Sequence, residues 1–140
     1  MVSYLDLDAN DLNRQQHRAG PGPQLMGANT LIGDHVHNRN NEQLGILHDI
    51  LLDMHSGKIV YAVLSSGGVL AVAAKLFAVP WQALSLDLLR HSIMLDIDKK
   101  TMENAPGFDA DAWPDMANAQ WASQIQRYYN SSAHKGRQPT

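Results

Sequence analysis

Histidine is the residue type with the most evident chemical potential in this sequence. His35 and His37 lie two residues apart, so on a strand both point to the same face, and His48 and His55 follow on the next predicted strand and its turn. Imidazole nitrogens bind Zn, Ni and Cu, which makes metal or ligand sensing one hypothesis. With seven histidines in 140 residues, a chance pair on a solvated strand face is the alternative. At an interface, the same pair would make a contact pH-sensitive.

Aspartates cluster late in the chain, at Asp109, Asp111 and Asp115. A calcium loop needs oxygen ligands at every second position and a glycine at the sixth, and Trp113 and Pro114 interrupt that pattern. These acids are therefore predicted to cap a helix or a loop.

Catalytic motifs are not found. The sequence has no Gly-x-Ser-x-Gly elbow, no phosphate-binding Gly-x-x-x-x-Gly-Lys-Ser/Thr and no His-Glu-x-x-His. Gly67 and Gly68 precede Lys75, but the intervening residues are apolar and a tight turn explains the glycines better. No pairing marks Glu42, Asp49 and Asp53 as a general acid and base. We expect a protein that is not an enzyme, with no catalytic residues and no cofactor.

Composition narrows the possible functions further. The chain has no cysteine, which excludes disulfides, thiol nucleophiles and thiolate metal sites. Eleven basic against 14 acidic residues give a net charge of −3, which disfavours direct binding of nucleic acid. The start has no basic region before an apolar run, and the longest apolar stretch, 69–74, is too short to span a membrane. These features predict one soluble, cytoplasmic domain.

The elements that must position these residues are short strands. Apolar runs separated by turn signals predict strands over 35–37, 44–54, 58–65, 76–79 and 92–97. A slip in the alternation at 50–52 indicates a bulge or burial on both faces. Residues 58–65 are apolar on both faces, which predicts a central strand covered on both sides. Asn41 and Gly57 fit left-handed turn positions, and Asp98 fits the N-cap of a brief helix. This pattern is typical of a small all-β barrel or sandwich.

The end of the chain is unusually aromatic. Five of the nine aromatic residues follow Asn104. Trp121, Ile125 and Tyr128 share one face at helical spacing after Asn118, which is predicted to be the N-cap. The pattern predicts a C-terminal helix that lays an aromatic stripe on another surface.

Several phrases of the sequence closely resemble the PRC-barrel domain, the family named for the cytoplasmic domain of the photosynthetic reaction centre H subunit and related to the C-terminal barrel of a ribosome maturation factor. The resemblance covers about residues 26–116. The matching phrases are Leu31-Ile32-Gly33, Leu44-Gly45 with Asp49 and Asp53, Ser56-Gly57-Lys58, Tyr61-Ala62-Val63-Leu64-Ser65, Gly67-Gly68, Lys75-Leu76-Phe77-Ala78-Val79-Pro80-Trp81, Asn104-Ala105-Pro106-Gly107-Phe108-Asp109 and Trp113-Pro114.

The resemblance implies a mainly β fold, a small and strongly bent antiparallel barrel with short helical turns and a C-terminal α-helix. It also implies a docking or assembly module, often a homodimer, without a catalytic centre. We expect a flexible polar arm over 1–25, the barrel over 26–104, the aromatic segment over 105–130 and a disordered tail over 131–140. The loop after Gly67-Gly68 departs from the family pattern, because alanines replace two glycines and an acid.

That apolar loop suggests an interaction surface. Val69, Leu70 and Val72 either fold back over the barrel's own core or meet a second copy or a partner. Small domains without disulfides or metals often gain stability by association, which favours a homodimer. The partner's identity stays open, with ribonucleoprotein and membrane-associated assemblies suggested by the family. The predicted interaction residues are Val69, Leu70, Val72, Trp113, Trp121, Ile125 and Tyr128.

Overall fold

A computed structural model describes residues 25–66, 75–87, 90 and 92–136, with side chains through 131. The predicted arm over 1–25 falls almost entirely outside these residues. The chain divides into two compact units, Met1–Thr30 and Leu31–Thr140. In the first unit, the amide of Thr30 donates a hydrogen bond of 3.0 Å to the carbonyl oxygen of Gly27.

The described residues form seven strands, three α-helices and one 3-10 turn. The strands are β1 (His35–His37), β2 (Gln43–Leu52), β3 (Ile59–Ser65), β4 (Lys75–Pro80), β5 (Leu84–Asp87), β6 (Ser92–Leu95) and β7 (Phe108–Asp109). The helices are α1 (Ala28–Leu31), α2 (Lys99–Glu103) and α3 (Ala119–Gly136), and the 3-10 turn is Trp81–Ala83. The helix α3 continues to Gly136, so it extends into the segment predicted to be a disordered tail.

One mixed sheet contains all seven strands, in the order β5-β6-β1-β2-β3-β4-β7. The mainly β fold with a C-terminal helix is confirmed, and the sheet bends as in a PRC-type barrel. Five of its six strand pairings are antiparallel, as predicted. The prediction was wrong for β1 and β6, which pair in parallel. A parallel pair needs a long crossover connection, and the chain from β2 to β5 supplies it.

Irregular pairing bends the β2–β3 hairpin. The register between the strands shifts between Leu47 and Asp49 and again between Leu51 and Leu52. The first shift leaves His48 of β2 unpaired, and the second leaves Val60 of β3 unpaired. The second shift lies beside the β2 residues where the sequence predicted a bulge or burial on both faces, but its extra residue belongs to β3. Each extra residue increases the local twist of the hairpin.

The predicted turn and cap residues are confirmed. Asn41 has a φ of 63° and Gly57 a φ of 75°, both in the left-handed region that tight turns use. The carboxylate of Asp98 accepts a hydrogen bond of 2.7 Å from the Thr101 amide. The Asn118 side chain accepts one of 3.0 Å from the Trp121 amide, at the start of α3. Local side-chain chemistry thus sets where these elements begin.

The core lies along the middle of β3 and β4. The consecutive β3 residues from Tyr61 to Leu64 are all buried, which confirms that this strand is central and covered on both faces. The prediction was wrong for the start of β3, since Ile59 and Val60 are 37% and 39% exposed. The reason is that β4 ends at Pro80, which pairs with Tyr61, so β4 does not extend along the first two residues of β3.

Helix α3 packs on the sheet at β4. Among its described side chains, Ile125 and Tyr129 are buried, at 2% and 1% exposure. The ring of Trp121 meets that of Tyr61 edge-on, with centroids 5.5 Å apart. The Tyr128 hydroxyl donates a hydrogen bond of 2.7 Å to the carbonyl oxygen of Thr101. The aromatic stripe therefore lies on the barrel of its own chain.

The hydroxyl of Tyr129 is buried without a hydrogen-bond partner among the described residues. Burial, and then the neighbouring Tyr128, raise the pKa of Tyr129 well above its usual 10.0. The folded protein therefore keeps this proton at a pH where the unfolded chain releases it. The contribution of this raised pKa to the free energy of unfolding is complete below pH 10 and is lost as the pH rises beyond that value.

Replacing Gly107 with alanine should destabilise the barrel. A Cβ at this position would lie 2.8 Å from Cε1 of Phe77 and 3.0 Å from the carbonyl oxygen of Leu76. We expect Gly107→Ala to lower the free energy of unfolding by about 1–3 kcal/mol, the usual cost of overpacking, measured by urea denaturation. Gly27→Ala is the control, because its Cβ would meet only Thr30, at an ordinary 3.6 Å. Equal effects of the two substitutions would contradict the close approach at Gly107.

Replacing Tyr129 with phenylalanine should preserve stability at pH 7 and flatten its decline in alkali. The variant removes an unpaired buried hydroxyl, and above pH 10 its free energy of unfolding should fall less steeply than that of the wild type, by about 1.4 kcal/mol per pH unit. Urea denaturation at pH 7, 10 and 11 measures both effects. Tyr128→Phe is the matched control and should cost about 1 kcal/mol at pH 7, because it deletes a hydrogen bond. Identical alkaline slopes for wild type and Tyr129→Phe would contradict the assignment.

Candidate interaction surfaces

The predicted interaction residues fall into three groups, of which Trp113 forms the third. Val69, Leu70 and Val72 lie outside the described residues, so their part in an interface stays a prediction. Trp121, Ile125 and Tyr128 face the barrel of the same chain, where they hold α3 in place. The contacts of these three side chains within the chain serve to pack α3 on the barrel.

Trp113 differs from the other predicted aromatics because it is 42% exposed. Its indole N–H donates a hydrogen bond of 2.8 Å to the carbonyl oxygen of Ala110, and its ring lies 5.0 Å from that of Phe108, centroid to centroid. These two contacts hold the ring beside β7, and part of it faces solvent. Its part in an interface stays a prediction.

The four candidate histidines do not come together with acids as a metal centre. His35 and His37 lie on β1 with ring centroids 6.3 Å apart, while His48 and His55 are exposed on β2 and its turn. Among the residues that the structure describes, no group of three or more histidine, aspartate or glutamate side chains could hold a metal ion. The geometry there shows a histidine pair and no complete set of ligands.

The carboxylates of the β1–β2 and β2–β3 region serve the backbone and its turns. Glu42 accepts a hydrogen bond of 2.8 Å from the side-chain amide of Asn38. Asp49 accepts one of 2.8 Å from the Ile50 amide. Asp115, in the later acidic segment, accepts one of 3.1 Å from the Ala117 amide, so its predicted loop-capping role is confirmed. These acids have structural partners.

Among the residues that the structure describes, four of the exposed large apolar side chains lie at the end of the β2–β3 hairpin. We call Leu52, Met54, Ile59 and Val60 the hairpin end. They are 55%, 91%, 37% and 39% exposed, respectively. Leu52 and Ile59 are paired across the two strands and so share a face, and Val60 is the unpaired residue at the register shift beside them. The hairpin end is therefore a contiguous group of exposed apolar side chains.

Charged groups border the hairpin end. Asp53 accepts hydrogen bonds from the Ser56 hydroxyl at 2.8 Å and from the His55 amide at 3.2 Å. These bonds, the first above all, lower the pKa of Asp53, so its carboxylate is ionised at neutral pH. Lys58 lies exposed on the returning side of the same turn. An apolar surface flanked by both charge signs is typical of a protein contact.

Sequence reasoning missed the hairpin end because it interpreted apolar residues on both faces of β3 as buried. The available signal was Pro80. A proline stops the neighbouring strand, and the length of β4 before it is shorter than that of β3. Matching strand lengths would have shown that the first residues of β3 extend beyond their neighbour.

Within the described parts of the chain, no helix is both long and apolar enough to cross a membrane.

Comparisons with curated proteins and with solved structures gave the following results. No curated protein matches the sequence. Among solved structures, a Pseudomonas aeruginosa protein named as a 16S ribosomal RNA processing protein, RimM, is similar at 19% identity and a TM-score of 0.39. The match covers 57% of this chain and 49% of that one, so this chain corresponds to about half of its length.

The PRC-barrel domain model matches residues 23–102 of the 140. The match includes β1 to β6 and most of α2. It agrees with the bent, mainly β sheet and with the motifs that carry its turns. The chain belongs to the PRC-barrel domain family.

Proposed function

We propose that this protein is a non-catalytic interaction module that forms a homodimer and docks a protein partner within a larger assembly. The observation that carries the proposal is the exposure of the hairpin end, where Met54 is 91% and Leu52 is 55% exposed. Each Å² of apolar surface removed from water contributes about 25 cal/mol. An apolar projection of this kind is stabilised when another surface covers it.

A second copy of the chain is the proposed occupant of the hairpin end. A two-fold contact is formed by the same patch on both subunits, so each hairpin end meets an equally apolar one. The charged border of one hairpin end complements that of a second copy, because Asp53 and Lys58 carry opposite charges on the same turn. The two-fold arrangement can bring Asp53 of one copy near Lys58 of the other. The small cysteine-free core adds a reason for association.

The absence of catalysis remains part of the proposal. The carboxylates that sequence analysis considered, Glu42, Asp49 and Asp53, each accept a hydrogen bond from a nearby backbone or side-chain donor. Their positions along the β1–β2–β3 region suit turn formation. The net charge of −3 supports a protein partner over a nucleic acid. A ribonucleoprotein or membrane-associated assembly is the class that family membership suggests.

The double variant Leu52→Asp with Met54→Asp should be monomeric. Burying two carboxylates at the proposed contact is unfavourable, so we expect at least a tenfold rise in the dimer dissociation constant. Sedimentation equilibrium would measure it, relative to the chain mass of 15.5 kDa. Leu86→Asp is the matched control, because Leu86 is 41% exposed on the far edge strand β5. A wild type that is monomeric at micromolar concentration would overturn the proposal.

A second double variant, Leu70→Asp with Val72→Asp, tests the apolar loop predicted from sequence. If this variant dissociates the dimer and the hairpin variant leaves it intact, the interface is at the loop and the hairpin assignment is wrong. Circular dichroism of each variant would verify that the barrel remains folded.

A further inference from the structure

The strands β1 and β6 present a histidine pair and a methionine on the face of the sheet that points away from the core. On β1, Val36 is fully buried, whereas His35 is exposed and His37 is half-buried. On β6, Ile93 is 1% exposed and the next residue, Met94, is half-buried. Because side chains alternate along a strand, the two histidines and the methionine share the outer face.

The parallel pairing of β1 with β6 places Met94 beside His37. The two residues are direct partners in the register, and neighbouring strands lie about 4.8 Å apart. Both side chains line one cavity of about 390 Å³. The rings of His35 and His37 are 6.3 Å apart, centroid to centroid. We call His35, His37 and Met94 the His–Met cluster.

The ligands of the His–Met cluster are two imidazoles and a thioether, all of which are uncharged when they bind a metal. Among the described residues, histidine, aspartate and glutamate side chains do not supply a third ligand here. Zn²⁺ is bound by thiolates, imidazoles and carboxylates, so a thioether adds little for that ion. Cu(I) is bound by soft thioether sulfur, and copper is also bound by imidazole nitrogen. These ligands therefore suit Cu(I) better than Zn²⁺.

The backbone beneath the His–Met cluster is fixed by the core, while the thioether can still adjust. Val36 and Ile93 point inward between the ligands and are 0% and 1% exposed. Burial of these two side chains holds β1 and β6 in place, which pre-positions the groups on the outer face. The methionine side chain has three rotatable bonds, so the sulfur of Met94 can move toward an ion that the histidines hold.

The charged groups around the His–Met cluster do not repel a cation. Arg39 and Arg90 line the same cavity, but each lies close to a carboxylate. Nε of Arg39 is 3.4 Å from Oδ2 of Asp96, and Nε of Arg90 is 3.7 Å from Oδ2 of Asp87. A third carboxylate, that of Asp34, directly precedes the cluster in the sequence. Two arginines are thus balanced by three aspartates, and a monovalent ion on uncharged ligands meets little repulsion.

We propose that the His–Met cluster is a binding site for Cu(I), with His35, His37 and Met94 as its three protein ligands. The inference goes beyond the proposed docking function and does not depend on it, because the cluster shares no residue with the hairpin end. The ion keeps its oxidation state on binding, so no oxidant or reductant takes part.

Anaerobic titration of the full chain with Cu(I), in competition with the coloured chelator bicinchoninate, tests the site. We expect saturable binding of one ion per chain, and roughly tenfold or weaker binding of Zn²⁺. Ag(I), a redox-inert ion with similar ligand preference, should shift the methyl resonance of Met94. It should leave unchanged the resonance of Met54, which is 91% exposed and controls for a freely accessible thioether.

Substitutions separate the thioether from the imidazoles. Met94→Leu keeps the side-chain volume and removes the sulfur, so the dissociation constant of Cu(I) should rise roughly tenfold or more while that of Zn²⁺ changes less than twofold. His37→Gln should weaken the binding of both ions. Met54→Leu and His48→Gln are the matched controls, because both residues are exposed and lie outside the cluster. Circular dichroism of each variant would verify that the barrel is folded.

Several results would reject the copper site. They are the absence of saturable Cu(I) binding, tighter binding of Zn²⁺ than of Cu(I), and equal loss in Met54→Leu and Met94→Leu. If His37→Gln weakens Cu(I) binding and Met94→Leu does not, the histidine pair binds alone and the three-ligand site is wrong. The hairpin variant Leu52→Asp with Met54→Asp should bind Cu(I) as the wild type does, so failure of dimerisation and failure of this inference are separate outcomes.

Discussion

The structure depends on the double-sided burial of β3. The residues from Tyr61 to Leu64 are apolar and buried on both faces of the sheet, so the rest of the chain must cover both faces. Pairing with β2 and β4 satisfies the backbone of β3, and the two register shifts between β2 and β3 increase the twist of the sheet there. Helix α3 packs at β4 and reaches Tyr61 through Trp121. Without that cover, one side of the central strand would face water.

The apolar side chains that remain exposed lie where the neighbouring strand β4 ends and no longer covers β3. Pro80 ends β4 opposite Tyr61, and the two preceding residues of β3 continue beyond it with the end of β2. Apolar residues that β4 would have covered thus form the hairpin end. At the other end of the same strands, α2 packs beside β2 and buries Met102. The end of the hairpin that β4 does not reach therefore keeps its apolar side chains exposed, whereas the opposite end is covered.

Local signals in the sequence were good guides to local structure. Asp98 and Asn118 cap their helices, and Asn41 and Gly57 take left-handed turn conformations, because the chemistry of these positions acts within a few residues. The strand β5 and the short β7 were missed, since four and two residues are too few to show a clear alternation. Parallel pairing of β1 with β6 joins segments more than fifty residues apart, and no local pattern contains that information.

The sequence by itself determined the family, the mainly β class, the turn and cap positions and the aromatic character of the final helix, because each follows from residue types at short spacing. Only the tertiary structure decided which apolar residues are core and which are surface. Ile59 and Val63 look alike in the sequence, but one is 37% exposed and the other fully buried. The difference arises from where a neighbouring strand ends and a distant helix packs. Burial depends on how the layers of the fold pack together, and the type of an apolar residue does not specify which other element will cover it.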